Sequence, residues 1–163
     1  MKRWKVSWLF IGFFLLLLAL GAVGEAVSLL LALAIHELGH IFVARVMGFK
    51  VEKLEILPLG GYMYLDQLME FQPLAEERIA LAGPLANLFA AACVMAALGH
   101  PQQDPFVGNF LRANFTLMAF NLLPALPLDG GRIFRARLNA FFSFYQATRT
   151  VIVTGSICGL LVF

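Results

Sequence analysis

Apolar residues come in five blocks along this chain, and the polar stretches between them are short and mostly basic. The blocks cover residues 7–24, 26–48, 79–98 and 110–128, with a fifth starting near Thr150. About 20 apolar residues carry a helix across the hydrocarbon core of a bilayer. The first four blocks meet or approach that length. The fifth reaches Phe163 after only fourteen residues, which reads as an incomplete last helix in a truncated chain. Met1-Lys2-Arg3 followed by an apolar run resembles the start of a signal peptide, but the run is as long as a span and leads straight into another apolar block. It is read as a retained first span. The pattern predicts an all-α polytopic membrane protein of about five transmembrane helices. It forms a single domain over residues 1–163, with the first span at 7–24, a core at about 26–135 and the last span from about 150.

Three stretches break the helical pattern. Residues 51–65 are two short β-like runs around Gly60-Gly61, which predicts a small β-hairpin. An edge strand there can pair with an extended peptide, or the hairpin can serve only as a connection. Pro124 and Pro127 interrupt the fourth span, and Gly130-Gly131 permits a tight turn after them. Residues 132–149 mix Arg135, Arg137 and Arg149 with Phe134, Leu138, Phe141, Phe142 and Phe144, and predict an interfacial amphipathic helix.

The composition agrees with a membrane protein. The chain is 61% hydrophobic and 13% charged, with a mean hydropathy of +0.83, whereas soluble domains are about 45–50% apolar and about 25% charged. The net charge of +2 matters less than its placement. Eleven basic residues fall on one side of the predicted spans and only Arg112 on the other. The positive-inside rule then puts the N-terminus and the hairpin in the cytoplasm. Cys93 and Cys158 lie far apart in apolar blocks and read as small buried hydrophobes. Nothing in the chain predicts a nucleic-acid partner.

The second span carries the chemistry. His36-Glu37-Leu38-Gly39-His40 places two imidazoles four residues apart on one helix face, a spacing suited to zinc, with Glu37 beside them as a general base. Each ionisable residue at the bilayer centre costs about 2.5–3.5 kcal/mol on the insertion scale. Three of them in one span therefore demand compensation, which a metal supplies. A catalytic site needs a third protein ligand and an open position. Glu25 and Asp104 fall on the outer side, and Glu52, Glu55, Asp66, Glu70, Glu76 and Glu77 lie where a solvated charge costs little. Asp129 differs, because it ends the proline-broken stretch at membrane depth, where irregular backbone survives only against protein or a watery cavity. It is the ligand candidate, with helix capping as the alternative. Asn87, in Ala82-Gly83-Pro84-Leu85-Ala86-Asn87, and Asn121 can hydrogen-bond an oxyanion or substrate backbone, or can serve as packing glue. Asn114 and His100 have weaker claims.

Taken together, these motifs resemble the site-2 protease family of intramembrane zinc metalloproteases. The resemblance rests on residues 36–40, Leu57-Pro58-Leu59-Gly60-Gly61, Ala82-Gly83-Pro84 with Asn87, and Asn121-Leu122-Leu123-Pro124 through Asp129-Gly130. Within the family the chain looks most like the stage IV sporulation protein FB branch. The resemblance implies one Zn2+ per chain held by His36, His40 and Asp129, with Glu37 as catalytic base; Asn87, Asn121, Gly60 and Gly61 are the substrate-binding or oxyanion candidates read from the residues themselves. It also implies cleavage in or near the membrane segment of a protein such as a sigma-factor pro-segment, with an inhibitory membrane protein as partner; the topology read from the charges places the active site toward the cytoplasm. A membrane zinc carrier and an inactive scaffold relative are the alternatives. The branch often carries a C-terminal regulatory domain, which this sequence does not include.

Overall fold

A backbone surrounded by lipid must satisfy its own hydrogen bonds, so uncharged leucine-rich runs become helices. The structure, a computed structural model, describes residues 3–57, 60–65, 72–98 and 104–162. Its elements follow as β1 (Arg3–Val6), α1 (Trp8–Ala19), α2 (Val23–Val46), β2 (Val51–Leu57), β3 (Gly60–Leu65), α3 (Pro73–Leu98), α4 (Pro105–Asn121), α5 (Asp129–Leu138) and α6 (Phe144–Val162). Pro58, Leu59, Asp66, Glu70 and His100 lie outside the described residues.

Local chemistry sets the ends. Ser7 accepts from the Leu9 amide at 3.2 Å and starts α1, and Asp104 does the same for α4, accepting from Phe106 at 2.8 Å and Val107 at 3.3 Å. Gly21, at φ +76, makes the reversal between α1 and α2, a conformation that costs other residues a clash at Cβ. Among the described residues two helices, α2 and α3, can cross a bilayer by length and hydropathy. The first apolar block is shorter than expected as a helix: α1 has 12 residues, because the chain turns at Gly21 and α2 already begins at Val23. The last helix begins earlier than expected, at Phe144.

The strands form one sheet in the order β1-β2-β3. β2 and β3 are antiparallel, with Leu57 opposite Gly60 and Ile56 opposite Gly61. β1 adds to the other edge of β2 in parallel, Arg3 against Lys53 and Val6 against Ile56. This third strand was not anticipated, since four residues with alternating charge carry too little pattern to separate them from a basic flank.

Helices α2, α3 and α4 pack against one another, and α5 packs on α3. Small residues let α2 and α3 come close. A Cβ on Gly39 would sit 2.6 Å from the Ala82 carbonyl oxygen and 2.8 Å from the Ala86 methyl, so only glycine fits. Large apolar side chains face outward instead, among them Phe42 at 68% and Phe89 at 72% exposure. Apolar area of that extent is costly in water and natural in lipid. Cys93, expected to be buried, is also on this exposed surface.

The region after α4 corrects two expectations. The stretch 132–149 is two helices, α5 and α6, joined by a turn, not one amphipathic helix. Gly130 and Gly131 do not form a tight turn; they lie in the first turn of α5. Their value is steric, since a Cβ on either would collide with backbone of the 122–126 segment folded over them. That segment contains a cis Leu126–Pro127 bond. Gly155 of α6 lies against it too, where a Cβ would be 2.9 Å from Ala125. The interruption between Asn121 and Asp129 is thus wedged between α5 and α6, and Asp129 emerges from it at a fixed place.

Candidate metal centre

Positions 36 and 40 are one helical turn apart on α2, so their side chains share a face. The rings lie at right angles, 4.7 Å between centroids. Opposite them, α5 delivers Asp129. Its Oδ2 lies 3.0 Å from His36 Nε2 and 3.2 Å from His40 Nε2. Ligand atoms of the three residues all lie within 4.8 Å of one another, and all three residues are buried. Nearby, Gly83 of α3 leaves the room that the rings occupy: a Cβ there would sit 2.8 Å from His36 Cε1 and closer still to His40.

The far side of each ring fixes its protonation. His40 Nδ1 lies 2.7 Å from the Ile79 carbonyl oxygen, which only accepts, so Nδ1 carries the hydrogen. His36 Nδ1 lies 2.7 Å from Asn87 Oδ1. The Asn87 amide is oriented by its other end, where Nδ2 donates to the Ala32 carbonyl at 2.9 Å and to Asn114 Oδ1 at 2.8 Å. Its oxygen must therefore face His36, and His36 Nδ1 donates to it. Both Nε2 lone pairs then point at a carboxylate oxygen that has no hydrogen-bond donor among the described residues. Three buried acceptors facing one another repel unless a cation lies between them. Two imidazoles and one carboxylate, with outer nitrogens tied to acceptors, fit a zinc ion with one position left for water.

The same geometry revises the asparagines. Asn87 is fully buried with both amide hydrogens committed, so in this arrangement it orients His36 and has no donor left for an oxyanion. Asn114, ranked low on sequence, is also fully buried; it receives the Asn87 hydrogen and donates to the Phe110 carbonyl at 2.8 Å. Its sequence context gave no sign of this, because only the packing of α3 on α4 brings it to Asn87. Asn121 is buried and donates to the Leu117 carbonyl at 3.0 Å. Glu37 is buried at 6% exposure, between the two histidines in sequence. Gly60 and Gly61 lie on β3 in the sheet.

Glu76 overturns the expectation of a solvated charge. It is 1% exposed and ion-paired with Arg135. Arg132 lies between it and the cluster, 4.0 Å from Glu76 Oε1 and 3.6 Å from Asp129 Oδ1. An unpaired carboxylate buried this deeply would be prohibitively costly, so α5 docks on α3 through its arginines. Sequence offered one signal, the i, i+3 spacing of Asp129, Arg132 and Arg135.

Replacing Asn87 with Leu removes the acceptor that sets the His36 tautomer. Metal affinity is expected to fall about 10–100-fold, the usual effect of losing a partner behind a ligand. Competition of the purified protein with a fluorescent zinc chelator measures it, and unchanged affinity would contradict the assigned role.

The sequence matches the model of peptidase family M50 over residues 24–110 and 100–163. The zinc metalloprotease MJ0392 of Methanocaldococcus jannaschii is 32% identical over 139 residues, covering 83% of this chain and 40% of that protein. Stage IV sporulation protein FB of Bacillus subtilis is 32% identical over 141 residues, covering 85% of this chain and 48% of the relative. The chain thus spans less than half the length of either. Among solved structures, the site-2 protease from Methanocaldococcus jannaschii superposes with a TM-score of 0.78 at 28% identity, over 97% of this chain and 77% of that one. A buried two-histidine, one-carboxylate cluster on a membrane-type helical bundle therefore accompanies a family match over most of the sequence, and the chain belongs to peptidase family M50.

Proposed function

We propose that the chain is an intramembrane zinc metalloprotease that hydrolyses a peptide bond within or near the membrane segment of a protein substrate. One observation carries this reading: three buried acceptor atoms converge, and their orientation calls for a cation at their centre. His36 and His40 hold one zinc ion through Nε2, and Asp129 holds it through its carboxylate. When bound, zinc makes water a nucleophile near neutral pH and polarises a carbonyl. Glu37 takes the proton from the attacking water and returns it to the leaving amine. Asn121 keeps an amide hydrogen beyond the one given to Leu117, and is the better oxyanion donor of the two asparagines. A helical substrate must unwind before its carbonyl is open to attack. An extended segment pairing with the sheet near Gly60 and Gly61 would hold it in that form.

In the bilayer, α1, α2, α3, α4 and α6 make five spans, with the N-terminus, the sheet and α5 toward the cytoplasm, as the eleven-to-one charge split supports. The metal cluster then lies in the cytoplasmic half, where water can reach it. Substrates are membrane-associated proteins, with a sigma-factor pro-segment as the model case and an inhibitory membrane protein as regulator. In liposomes, the purified chain is expected to cleave a co-reconstituted single-pass peptide. Product mass should place the cut in or beside the membrane segment. A zinc chelator should abolish cleavage and added zinc should restore it; cleavage that ignores the chelator would defeat the proposal.

A further inference from the structure

Toward the end of α2 remote from the cluster, α1, α2 and α4 line a cavity of about 500 Å³. The short α1 leaves it, since it touches α2 but hardly follows α4. One end is polar: Glu25 from the first turn of α2, with Asn109 and Arg112 from the first two turns of α4. Arg112 donates to Asn109 Oδ1 at 2.6 Å, which holds the guanidinium at that end. The rest is apolar, with Phe13 and Leu17 on one wall and Leu29, Leu117 and Phe120 opposite. From Asn109 to Phe120 the cavity follows eleven residues of α4, about 16 Å of helix. One leaflet of a bilayer has about 15 Å of hydrocarbon.

We infer that this groove binds a single phosphatidylethanolamine molecule, its phosphate at Arg112, its ammonium at Glu25 and an acyl chain along Leu117 and Phe120. Charge selects the headgroup, because a carboxylate and a guanidinium at the same end match a zwitterion better than an anionic lipid. The carboxylate favours a primary ammonium, which donates hydrogen bonds, over a quaternary one, which does not. In a membrane the material at hand to fill a mostly apolar groove is lipid. The inference uses the membrane placement but not the proteolytic reading, so lipid binding and peptide cleavage can fail separately.

Native mass spectrometry of the delipidated full chain tests it, with palmitoyl-oleoyl phosphatidylethanolamine, phosphatidylcholine and phosphatidylglycerol offered at equal concentration. One bound phosphatidylethanolamine is expected, retained about tenfold better than the other two. Glu25→Gln and Arg112→Gln should each erase that preference. Ala113→Phe, which fills the groove without changing charge, should abolish retention, while the gel-filtration profile and thermal melting report that each variant is folded. Equal retention of the three lipids overturns the inference, and wild-type alone decides that point. Undiminished binding by the filled or uncharged variants also overturns it, as does displacement of the lipid by a single-pass peptide.

Discussion

Asp129→Ala is expected to leave the chain folded but empty of zinc, with cleavage of a membrane peptide reduced more than about 1,000-fold. Losing a partner behind a ligand already costs about 10–100-fold in metal affinity, and Asp129 is the only anionic member of the cluster. Without it, His36 and His40 offer two neutral nitrogens in a buried site, too few to hold zinc against a chelator. Folding should survive because α5 is fastened to α3 independently, through Arg135 and Glu76. Metal analysis after gel filtration reads the first effect and peptide cleavage the second. Zinc retained at wild-type stoichiometry would remove Asp129 from the ligand set.

Glu37→Gln is expected to separate the two properties. The amide is close in size to the carboxylate and is not among the three clustered donors, so zinc should remain at one per chain. It cannot accept the proton of an attacking water, however. General acid–base groups contribute typically 10²–10⁴-fold, so the rate should fall by about 10³ or more. Zinc and activity lost together would mean that Glu37 serves the structure or the metal rather than proton transfer.

Much of the candidate site was legible in sequence because its chemistry is local. Two histidines four apart can only share a helix face, and a carboxylate behind two prolines in an apolar stretch has few other uses. What sequence missed depends on long-range packing. Asn114 meets Asn87 only because α3 and α4 lie side by side, and Glu76 is buried only because α5 folds back on α3 with its arginines. Gly130 and Gly131 carried a turn signal, yet the packing of residues 122–126 over α5 gives them a steric role inside a helix. The strand Arg3–Val6 was hidden in the basic flank of the first apolar block. Apolar blocks located the helices well but their ends poorly, as α1 and α6 illustrate, since caps and turns rather than hydropathy decide where a helix stops.

The central claim is that zinc held by His36, His40 and Asp129 supports peptide hydrolysis driven by Glu37. Its most direct test is a zinc titration of the metal-free protein in liposomes, following bound metal and peptide cleavage in the same sample. For the parent chain, cleavage should rise in proportion to bound zinc and level off at one zinc per chain. The Glu37→Gln chain should bind the same single zinc and show no cleavage. Cleavage by the metal-free protein, or full activity in the zinc-loaded Glu37→Gln chain, would contradict the account.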